Sequence, residues 1–398
     1  MINVDFHIHS MYSGGTSSNM EIPVIAEQSK LKGLNTIGCG DCLNKNWLNH
    51  FVSSVNKIDE GTFEHKSGIR FILTTEVEDQ RRVHHVIIFP SLSSVEEFRY
   101  IIRDKSPNLD TDGRCNVNLA GDELLDIVKN MDGLIGPSHA FTPWTSIYKE
   151  YDTLEDCYKT KNIPFLELGL SADTHMADCI SELKDVTFMT NSDAHSPWPH
   201  RIGREFNRIK VRDNNYDEII KAIRRRGGNE FVLNVGIDPD LGKYHMTACT
   251  RCYKKYTIER AIEQKNRCTC GGLIKKGVVD RIKELCDQEV THPPHRPKYI
   301  KTIPLAEILV QTLGLASVNS KKVQDLWKLL IQSFKNEINV LIVTPREEIE
   351  KVAGEKVAQA IIDFREGKIY IEPGGGGMYG KVHLTKKDRN QSSLDGFL

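Results

Sequence analysis

Short apolar runs alternate with helix-like stretches over residues 1–235, and this alternation constrains the fold more than any other feature. Seven runs have the length and apolar content of short buried strands: Ile2–Phe6, Thr36–Gly38, Ile69–Thr74, His85–Phe89, Leu134–Gly136, Pro164–Leu168 and Val186–Thr190. Met20–Lys32 and Gly121–Met131 have helical patterns and lie between them. Repeated strand–helix units predict a parallel sheet or barrel, with the chemistry located where strands end.

The remaining residues differ in character and predict further domains. Residues 240–300 are rich in cysteine, lysine and arginine, and the proline-rich segment His292–Pro297 predicts a stiff linker. Three helices are predicted beyond Ile303, over Leu305–Leu313, Ser320–Asn336 and Glu347–Glu366. We therefore predict a catalytic domain over residues 1–238, a zinc-binding module over 239–298, a helical C-terminal domain over 299–384 and a flexible tail over 385–398.

The net charge of the chain is −1, which on average argues against a nucleic-acid binder. The average conceals a segregation, because Lys243–Lys301 carries a charge of +8 and the rest of the chain −9. No apolar run approaches the ~20 residues that span a bilayer, and the first residues do not resemble a signal peptide. These features predict a cytoplasmic protein without a membrane partner, and we expect a monomer.

Six of the 14 histidines fall in four short clusters at or near predicted strand ends. His7 and His9 are two residues apart and would point to one face of an extended strand. The other clusters hold His84 with His85, His139, and Asp193 with His195, while Asp41 and Glu76 lie at further strand ends. Imidazoles and carboxylates together suit zinc, manganese or iron, and a bridging carboxylate can hold two ions. Such ions activate water and neutralise charge on phosphoryl oxygens, which predicts a phosphoesterase.

Four cysteines form two close pairs, at Cys249 and Cys252 and at Cys268 and Cys270. This spacing predicts a structural zinc knuckle or ribbon with no open coordination position. Cys115, Cys157, Cys179 and Cys286 are isolated in the sequence and are predicted to be ordinary thiols.

Basic and aromatic residues near these motifs are candidates for contacts with DNA, since lysine and arginine pair with phosphates and aromatic rings stack on bases. Three tryptophans each follow a metal motif. The candidates are Trp47, Trp144, Trp198, Arg201, Arg204, Lys254, Lys255, Lys275, Lys276, Arg281 and Arg296.

The Asp5-Phe6-His7-Ile8-His9-Ser10 and Ser192-Asp193-Ala194-His195 motifs resemble those of the polymerase and histidinol phosphatase (PHP) superfamily. The resemblance implies an α/β fold, a distorted (βα)7 TIM-like barrel, with two or three divalent ions such as Zn, Mn, Mg or Fe. His7, His9, Glu76 and Asp193 would hold one ion. Glu76 would bridge to a second ion held by His139 and by His84 or His85, and His195 would serve a third.

The chain departs from the superfamily pattern at two points. Ser13-Gly14-Gly15 stands where an aspartate is usual, and Gly40-Asp41-Cys42 stands where the superfamily has Thr-Asp-His. Either Asp41 or Cys42 would then complete the third metal position. Asp193, His195 and Glu76 are the residues we expect to act directly in catalysis.

Longer motifs are similar to those of the endonuclease Q family over essentially the full length. They are Ser192–Trp198 with Arg201–Asn207, Cys270–Gly272 with Lys276–Ile282, His295–Tyr299 with Pro304–Glu307, and the Gly374–Gly380 loop. The resemblance implies a repair endonuclease that cleaves DNA 5′ to uracil, hypoxanthine, xanthine and abasic sites, with the lesion flipped into a pocket.

Two other functions fit parts of the sequence. One is a small-molecule phosphoesterase related to histidinol phosphatase, which would need neither the basic zinc module nor the helical region. The other is a non-catalytic DNA-binding protein. In addition, the tail Gln391–Leu398 has the pattern of a sliding-clamp-binding peptide, although a disordered tail is the alternative.

Overall fold

The computed structural model describes residues 1–383. All seven predicted strands are present, and ten more are added to them. The strands are β1 (Ile2–Asp5), β2 (Thr36–Gly38), β3 (Asn56–Asp59), β4 (Thr62–Glu64), β5 (Arg70–Glu78), β6 (His84–Phe89), β7 (Cys115–Asn116), β8 (Leu134–Pro137), β9 (Phe165–Glu167), β10 (Thr187–Met189), β11 (Phe206–Lys210), β12 (Glu230–Gly236), β13 (Ala248–Cys249), β14 (Ile274–Lys275), β15 (Lys298–Lys301), β16 (Tyr370–Glu372) and β17 (Lys381–His383).

Helices lie between the barrel strands and dominate the C-terminal region. They are α1 (Ile22–Lys32), α2 (Lys45–Ser54), α3 (Leu92–Ile102), α4 (Gly121–Asn130), α5 (Ile147–Glu150), α6 (Leu154–Tyr158), α7 (Thr174–Ala177), α8 (Tyr216–Ile223), α9 (Ile258–Glu263), α10 (Val278–Leu285), α11 (Leu305–Leu313), α12 (Lys321–Phe334), α13 (Arg346–Ala353) and α14 (Glu355–Arg365). Side-chain caps explain several starts, as in α2, where the Asn44 side chain accepts from two backbone N–H groups. Among the described residues, no helix is both long and apolar enough to cross a membrane.

The first domain is a distorted barrel, as predicted. Strands β8, β6, β5, β2, β1, β11, β12 and β15 form one continuous sheet in that order, and β9 and β10 form a separate parallel pair. The pairs β1–β2 and β2–β5 are parallel, whereas β5–β6 and β6–β8 are antiparallel. The ring closes where β9 lies beside β8 and β10 lies beside β12. At this closure Asn234 Nδ2 of β12 donates to Phe188 O of β10 (3.1 Å). A side-chain hydrogen bond thus joins two strands that regular pairing would join by backbone hydrogen bonds.

The C-terminal region is mostly helical, as predicted, but its last helix is not continuous. The helix expected over Glu347–Glu366 divides into α13 and α14, because Gly354 between them has a φ of 82°. A residue in this left-handed region cannot continue an α-helix. The helices enclose a second apolar cluster that includes Leu309, Leu330 and Phe364.

The zinc module and the linker are attached closely to the barrel. Val278 and Ile282 of α10 belong to the barrel's apolar cluster, and β15 pairs in parallel with β12. The first residues assigned by sequence to the helical domain thus extend the barrel sheet. The division of the chain into domains remains a prediction, and the proposed clamp-binding tail lies outside the described residues.

The prediction for Cys179 and Cys286 is wrong. These two residues are joined by a disulfide bond, with Cα atoms 4.9 Å apart and a separation of 107 positions in sequence. The sequence gives no sign of this pairing, because only the packing of α10 against the α7 region brings the two thiols together. The bond ties the end of α10 to the barrel.

Candidate functional site

The predicted histidines and carboxylates meet at one end of the barrel. His7 and His9 follow β1, His139 follows β8, and Asp193 and His195 follow β10. Glu76 lies within β5, and His84 is the first residue of β6. Because β6 runs antiparallel to β5, the beginning of β6 reaches the end of the barrel at which the parallel strands finish.

The first cluster consists of His7, His9, Glu76 and Asp193. His9 Nε2 lies 3.4 Å from Glu76 Oε2 and 3.2 Å from Asp193 Oδ1. His7 Nε2 lies 3.6 Å from Glu76 Oε1 and 3.7 Å from Asp193 Oδ1. Two ligands of a tetrahedral ion bound at 2.0–2.1 Å are about 3.4 Å apart, so these spacings fit one divalent ion. Both Nε2 atoms are buried and lack a hydrogen-bond partner in the described chain.

The second cluster shares Glu76 with the first. Glu76 Oε1 lies 3.0 Å from His84 Nδ1 and 3.1 Å from His139 Nε2, and these two nitrogens are 3.3 Å apart. The two oxygens of Glu76 therefore face two sets of imidazoles. This is the arrangement expected of a carboxylate that bridges two ions.

His195 completes a third group with His9 and Asp193, whose ligand atoms lie within 4.8 Å of one another. Asp41 is placed differently from the prediction. Its carboxylate lies 3.1 Å from His9 Nδ1 and accepts from the Ser10 N–H and the Ser13 hydroxyl. Asp41 therefore orients His9 from behind, as outer carboxylates do in histidine metal sites. Cys42 is fully buried, and burial raises the pKa of its thiol well above the ordinary value.

The structure distinguishes between His84 and His85. Successive side chains of a strand point to opposite faces, so only one of the two can face Glu76. His84 does so, whereas His85 lies on the other side with Tyr158 (2.6 Å) and Asp79 (3.2 Å).

Two residues of this site were missed by the sequence analysis. Glu167, the last residue of β9, lies 2.9 Å from His7 Nδ1 and accepts from the His139 N–H (3.1 Å). Its place at a predicted strand end was the available signal. Arg114 donates to Glu76 Oε2 (3.4 Å), and its position in a turn before β7 gave no signal.

Backbone strain is concentrated at the same site. Asp41, His139 and Asp193 have φ values of 49°, 28° and 47°, which are uncommon for residues other than glycine. Strain of this kind persists only where the surroundings hold it, and it is typical of functional sites.

The charges of the site favour ionised carboxylates. Although burial alone would raise the pKa of Glu76, the imidazoles of His84 and His7 hold it well below its ordinary value. Burial likewise opposes ionisation of Asp193, but the close contact with His9 Nε2 (3.2 Å) and the charge of His7 lower its pKa. The two carboxylates are thus ionised at neutral pH, as carboxylate ligands of divalent ions must be.

The four cysteines of the zinc module converge as predicted. Cys249 and Cys270 Sγ are 3.5 Å apart, Cys252 and Cys268 Sγ are 3.6 Å apart, and all four lie within 4.8 Å. Thiolates bound to zinc at about 2.3 Å would be about 3.8 Å apart, so the set fits a tetrahedral ion. Gly272 makes room for it, because a Cβ there would lie 2.6 Å from Cys249 Sγ.

The predicted DNA-contact residues separate into exposed and structural groups. Trp144 and Trp198 are 50% and 41% exposed, and Arg201, Lys254, Lys255 and Lys276 are exposed as well. Lys275 Nζ lies 3.3 Å from the centroid of the Trp144 ring, which in turn packs edge-on against Tyr244.

Two members of that set cannot contact DNA in this conformation. Trp47 is fully buried, and its indole donates to Gly40 O (2.6 Å). Arg296 is buried, and its guanidinium donates hydrogen bonds to the Asp178 carboxylate and to the backbone oxygens of Val186 and Leu183. Their inclusion was wrong because sequence proximity to a motif does not indicate exposure.

The remaining two arginines have structural partners too. Arg204 Nε donates to Ser192 O (2.9 Å), and Arg281 donates to Tyr148 O and Asp152.

A cavity of about 290 Å³ lies between the barrel and α11. Its walls include Leu170 and Arg204 of the barrel and Glu307 and Gln311 of α11. Leu170 follows Gly169, whose backbone packs against His139, and Arg204 is bonded to the carbonyl that precedes Asp193. Two residues of the cavity wall are thus linked, through Gly169 and Ser192, to segments that carry the candidate metal ligands His139 and Asp193.

Comparison with known proteins identifies relatives of the whole chain. A family model described as the MJ0043 C-terminal domain matches residues 304–368. The uncharacterized protein MJ0043 of Methanocaldococcus jannaschii is 48% identical over 270 residues, which are 65% of this chain and 34% of that protein. This chain thus spans about a third of the length of that relative. The uncharacterized protein YqxK of Bacillus subtilis is 31% identical over 409 residues, covering 96% of this chain and 99% of YqxK.

Two crystal structures are similar over nearly the full length. The lesion-specific endonuclease PfuEndoQ from Pyrococcus furiosus is 50% identical with a TM-score of 0.94, covering 100% of this chain and 99% of that one. Endonuclease Q in complex with a 27-mer duplex substrate, with an abasic lesion at the active site, is 51% identical with a TM-score of 0.92, covering 97% of each chain.

Proposed function

Because this chain belongs to the endonuclease Q family, we propose that it is a metal-dependent DNA repair endonuclease that cleaves the phosphodiester 5′ to a damaged nucleotide. The lesions would be uracil, hypoxanthine, xanthine and abasic sites. The observation that carries the proposal is the position of Glu76 between two histidine clusters, which suits paired ions acting on a phosphodiester. The relative crystallised with an abasic duplex supports DNA as the substrate.

Two divalent ions fit the donor atoms, and a third position is available at His195. His7, His9, Glu76 and Asp193 would hold the first ion, and Glu76, His84 and His139 the second. When bound, such ions supply Lewis acidity and a water molecule acidic enough to act at neutral pH. The four cysteines would hold one structural zinc.

The protein's own side chains orient these ligands and help to neutralise the phosphate. Asp41 and Glu167 fix the ring orientations of His9 and His7 through their Nδ1 atoms. The Arg114 guanidinium lies beside Glu76, so its positive charge would help to neutralise a phosphoryl group bound at the two clusters. Burial, together with the charge of His9, lowers the pKa of His195, so its imidazole is neutral at pH 7 and can accept a proton.

The duplex would lie across the exposed basic and aromatic residues near the barrel mouth. Lys275 and Trp144 join the zinc module to the loop that carries His139, and Thr142 of that loop contacts His139 Nδ1 (3.1 Å). Lys254, Lys255 and Lys276 extend the positive surface over the module. Lysines at such positions pair with phosphates, and exposed rings stack on bases.

The cavity bounded by Arg204, Glu307 and Gln311 would receive the extruded base. Gln311 Oε1 is buried without a hydrogen-bond partner among residues 1–383, so an acceptor is available to a base N–H. Deaminated and mispaired bases are the least costly to extrude, which favours them over normal bases.

A nicking assay with Asp193→Asn tests the proposal. The wild-type protein should nick duplexes containing uracil, hypoxanthine or an abasic site when Mg²⁺, Mn²⁺ or Zn²⁺ is added, and should leave undamaged duplex intact. Asp193→Asn should abolish nicking and retain DNA binding, because a neutral amide is a poor metal ligand while the basic surface is unchanged. Nicking by this variant at the wild-type rate, or rapid hydrolysis of histidinol phosphate without DNA binding, would contradict the proposal.

Several further features belong to the same proposal. The protein would act as a monomer in the cytoplasm, at the nucleoid, with catalytic, zinc-binding and helical domains divided near residues 238 and 298. The tail from residue 385 would bind a sliding clamp.

A further inference from the structure

A lysine outside the metal site occupies a fully enclosed position where three parts of the chain meet. Lys32 is the last residue of α1, and its side chain is 1% exposed. Its ammonium donates to Glu337 Oε1 (2.7 Å) and to Pro199 O (2.8 Å). Lysine is almost never fully buried unless it is paired, and here the Glu337 carboxylate supplies the opposite charge.

Glu337 carries the contact into the helical C-terminal region. Its Oε1 also accepts the N–H of Leu305 (3.2 Å), and its Oε2 accepts the indole N–H of Trp327 (2.7 Å). Leu305 is the first residue of α11, the helix that brings Glu307 and Gln311 to the cavity. The carboxylate thus fixes the start of the cavity-lining helix.

Pro199 carries the contact into the loop that follows the metal ligands. This loop runs from Asp193 and His195 to Arg204, which lines the same cavity. Lys32 Cγ also packs beneath Gly203, where a Cβ would lie 3.0 Å away. The N–H of Gly203 donates to Asp5, which also accepts the N–H of Ser192. Lys32 therefore contacts the loop at two points without touching a metal ligand.

The surrounding packing leaves little freedom at this junction. Leu31 packs into the C-terminal apolar cluster, while Ile338 belongs to the barrel cluster, so each side inserts a residue into the other. A Cβ at Gly33 would lie 2.6 Å from Asn336. The ion pair is thus held in one geometry.

We propose that Lys32 and Glu337 are positioning residues that set the distance between α11 and the Pro199–Arg204 loop, and hence the shape of the cavity that accepts the damaged base. The inference rests on the proposed function. Loss of the ion pair, whether one charge or both are removed, would break the link from Pro199 through Lys32 and Glu337 to Leu305, so the start of α11 would shift relative to the loop. Because neither residue touches the reacting groups, the effect falls on recognition of the base.

Comparison of base-containing and abasic substrates tests this role. An abasic site places no base in the cavity, so its nicking should not depend on the shape of that cavity. In Lys32→Met we expect nicking of uracil and hypoxanthine duplexes to fall about 10- to 100-fold relative to nicking of the abasic duplex, the loss that a misplacement of about 1 Å produces. A purely structural loss would lower all three rates by the same factor.

Two further variants keep the test decisive. Lys32→Met combined with Glu337→Gln leaves no buried charge unpaired, so it should fold even if the single variant does not, and it should show the same change in substrate ratio. Val357→Ala, which removes contacts in the same C-terminal cluster away from the cavity, is the matched control and should leave the ratio unchanged. An unchanged ratio in the double variant would overturn the proposal. Absence of nicking on every lesion duplex by the wild-type protein would instead contradict the proposed function.

Discussion

Adjacent residues on one strand differ completely in their surroundings at the candidate site. His84 faces Glu76 and His139, whereas His85 faces Tyr158 and Asp79. His84→Asn should therefore lower the content of the catalytic ions and reduce nicking by at least about 100-fold, since it removes one of the three ligands of the second ion. Metal analysis and a nicking assay on an abasic duplex would measure both effects.

His85→Asn is the matched control for this prediction. It removes the same imidazole one residue further along β6, so it should cost stability but retain the catalytic ions. Loss of ions from the His85 variant with retention in the His84 variant would show that the assignment of the two faces is reversed.

Glu205 is a buried carboxyl group whose ionisation should make stability depend on pH. It is fully buried, its Oε1 accepts from the Ile237 N–H (2.8 Å), and its Oε2 lacks a partner in the part of the chain described. Burial raises its pKa from 4.5 to about 8. Between these two values the folded chain keeps a proton that the unfolded chain has lost, so this group lowers stability as the pH rises.

Glu205→Gln should remove this contribution. From about pH 5 to about pH 8 the unfolding free energy of the variant should rise relative to that of the wild type by an amount on the order of a few kcal/mol. The Tm of the variant should therefore increasingly exceed that of the wild type over this range. Thermal unfolding of both proteins across this range measures it. Parallel Tm curves would show that the carboxyl group titrates near its ordinary value.

Some single residues could be assigned a role from the sequence and others could not. The positions of His7, His9, His139 and Asp193 were predictable, because metal ligands at strand ends form a local pattern. The roles of Trp47 and Arg296 were not, because burial depends on contacts between segments that are distant in the chain.

At the scale of elements, the zinc module is held together by few apolar residues. Its own cluster contains only Cys249, Tyr256, Ala261, Cys268 and Ile274 as buried members among the residues described. A core of this size cannot stabilise a module alone, so its folding should depend on zinc. Cys252→Ser should lower the zinc content by one ion and make the module sensitive to proteolysis.

Cys115→Ser provides the control for the zinc prediction. Cys115 is a buried thiol of the barrel, and among the described residues it belongs to no group of side chains that could hold a metal ion. This variant should keep all of its zinc. Equal zinc loss in both variants would indicate a general effect of unfolding rather than loss of a ligand.

Elements were predicted well where their pattern is local. All seven predicted strands and the helix Leu305–Leu313 lie where periodicity places them. The hairpin of β3 and β4 and the strands β11, β12 and β15 were missed, since they are short or partly polar and gain their pairing from the barrel. The division of the last helix at Gly354 was missed because an isolated glycine often continues a helix.

At the scale of the whole molecule, charge is divided between two functions. The acidic remainder of the chain includes the carboxylates at the barrel mouth, and the +8 segment surrounds the zinc module. The basic segment can attract the phosphate backbone, while the clustered carboxylates would be neutralised by the ions proposed to bind there. The average of −1 would lead one to expect no nucleic-acid binding, whereas its distribution predicts a DNA-binding face next to a metal site.

This division predicts how DNA binding depends on salt. Each lysine that pairs with a phosphate steepens the fall of affinity with salt concentration, so Lys254→Ala combined with Lys255→Ala should reduce the slope of log K against log salt by about 2. Lys321→Ala combined with Lys356→Ala removes two exposed lysines of the helical region, outside the basic segment, and should leave the slope unchanged. Fluorescence anisotropy with an undamaged duplex at several salt concentrations measures both slopes. Equal slopes for the two double variants would mean that the duplex does not lie on the zinc module, because affinity would then be insensitive to where the positive charge is placed.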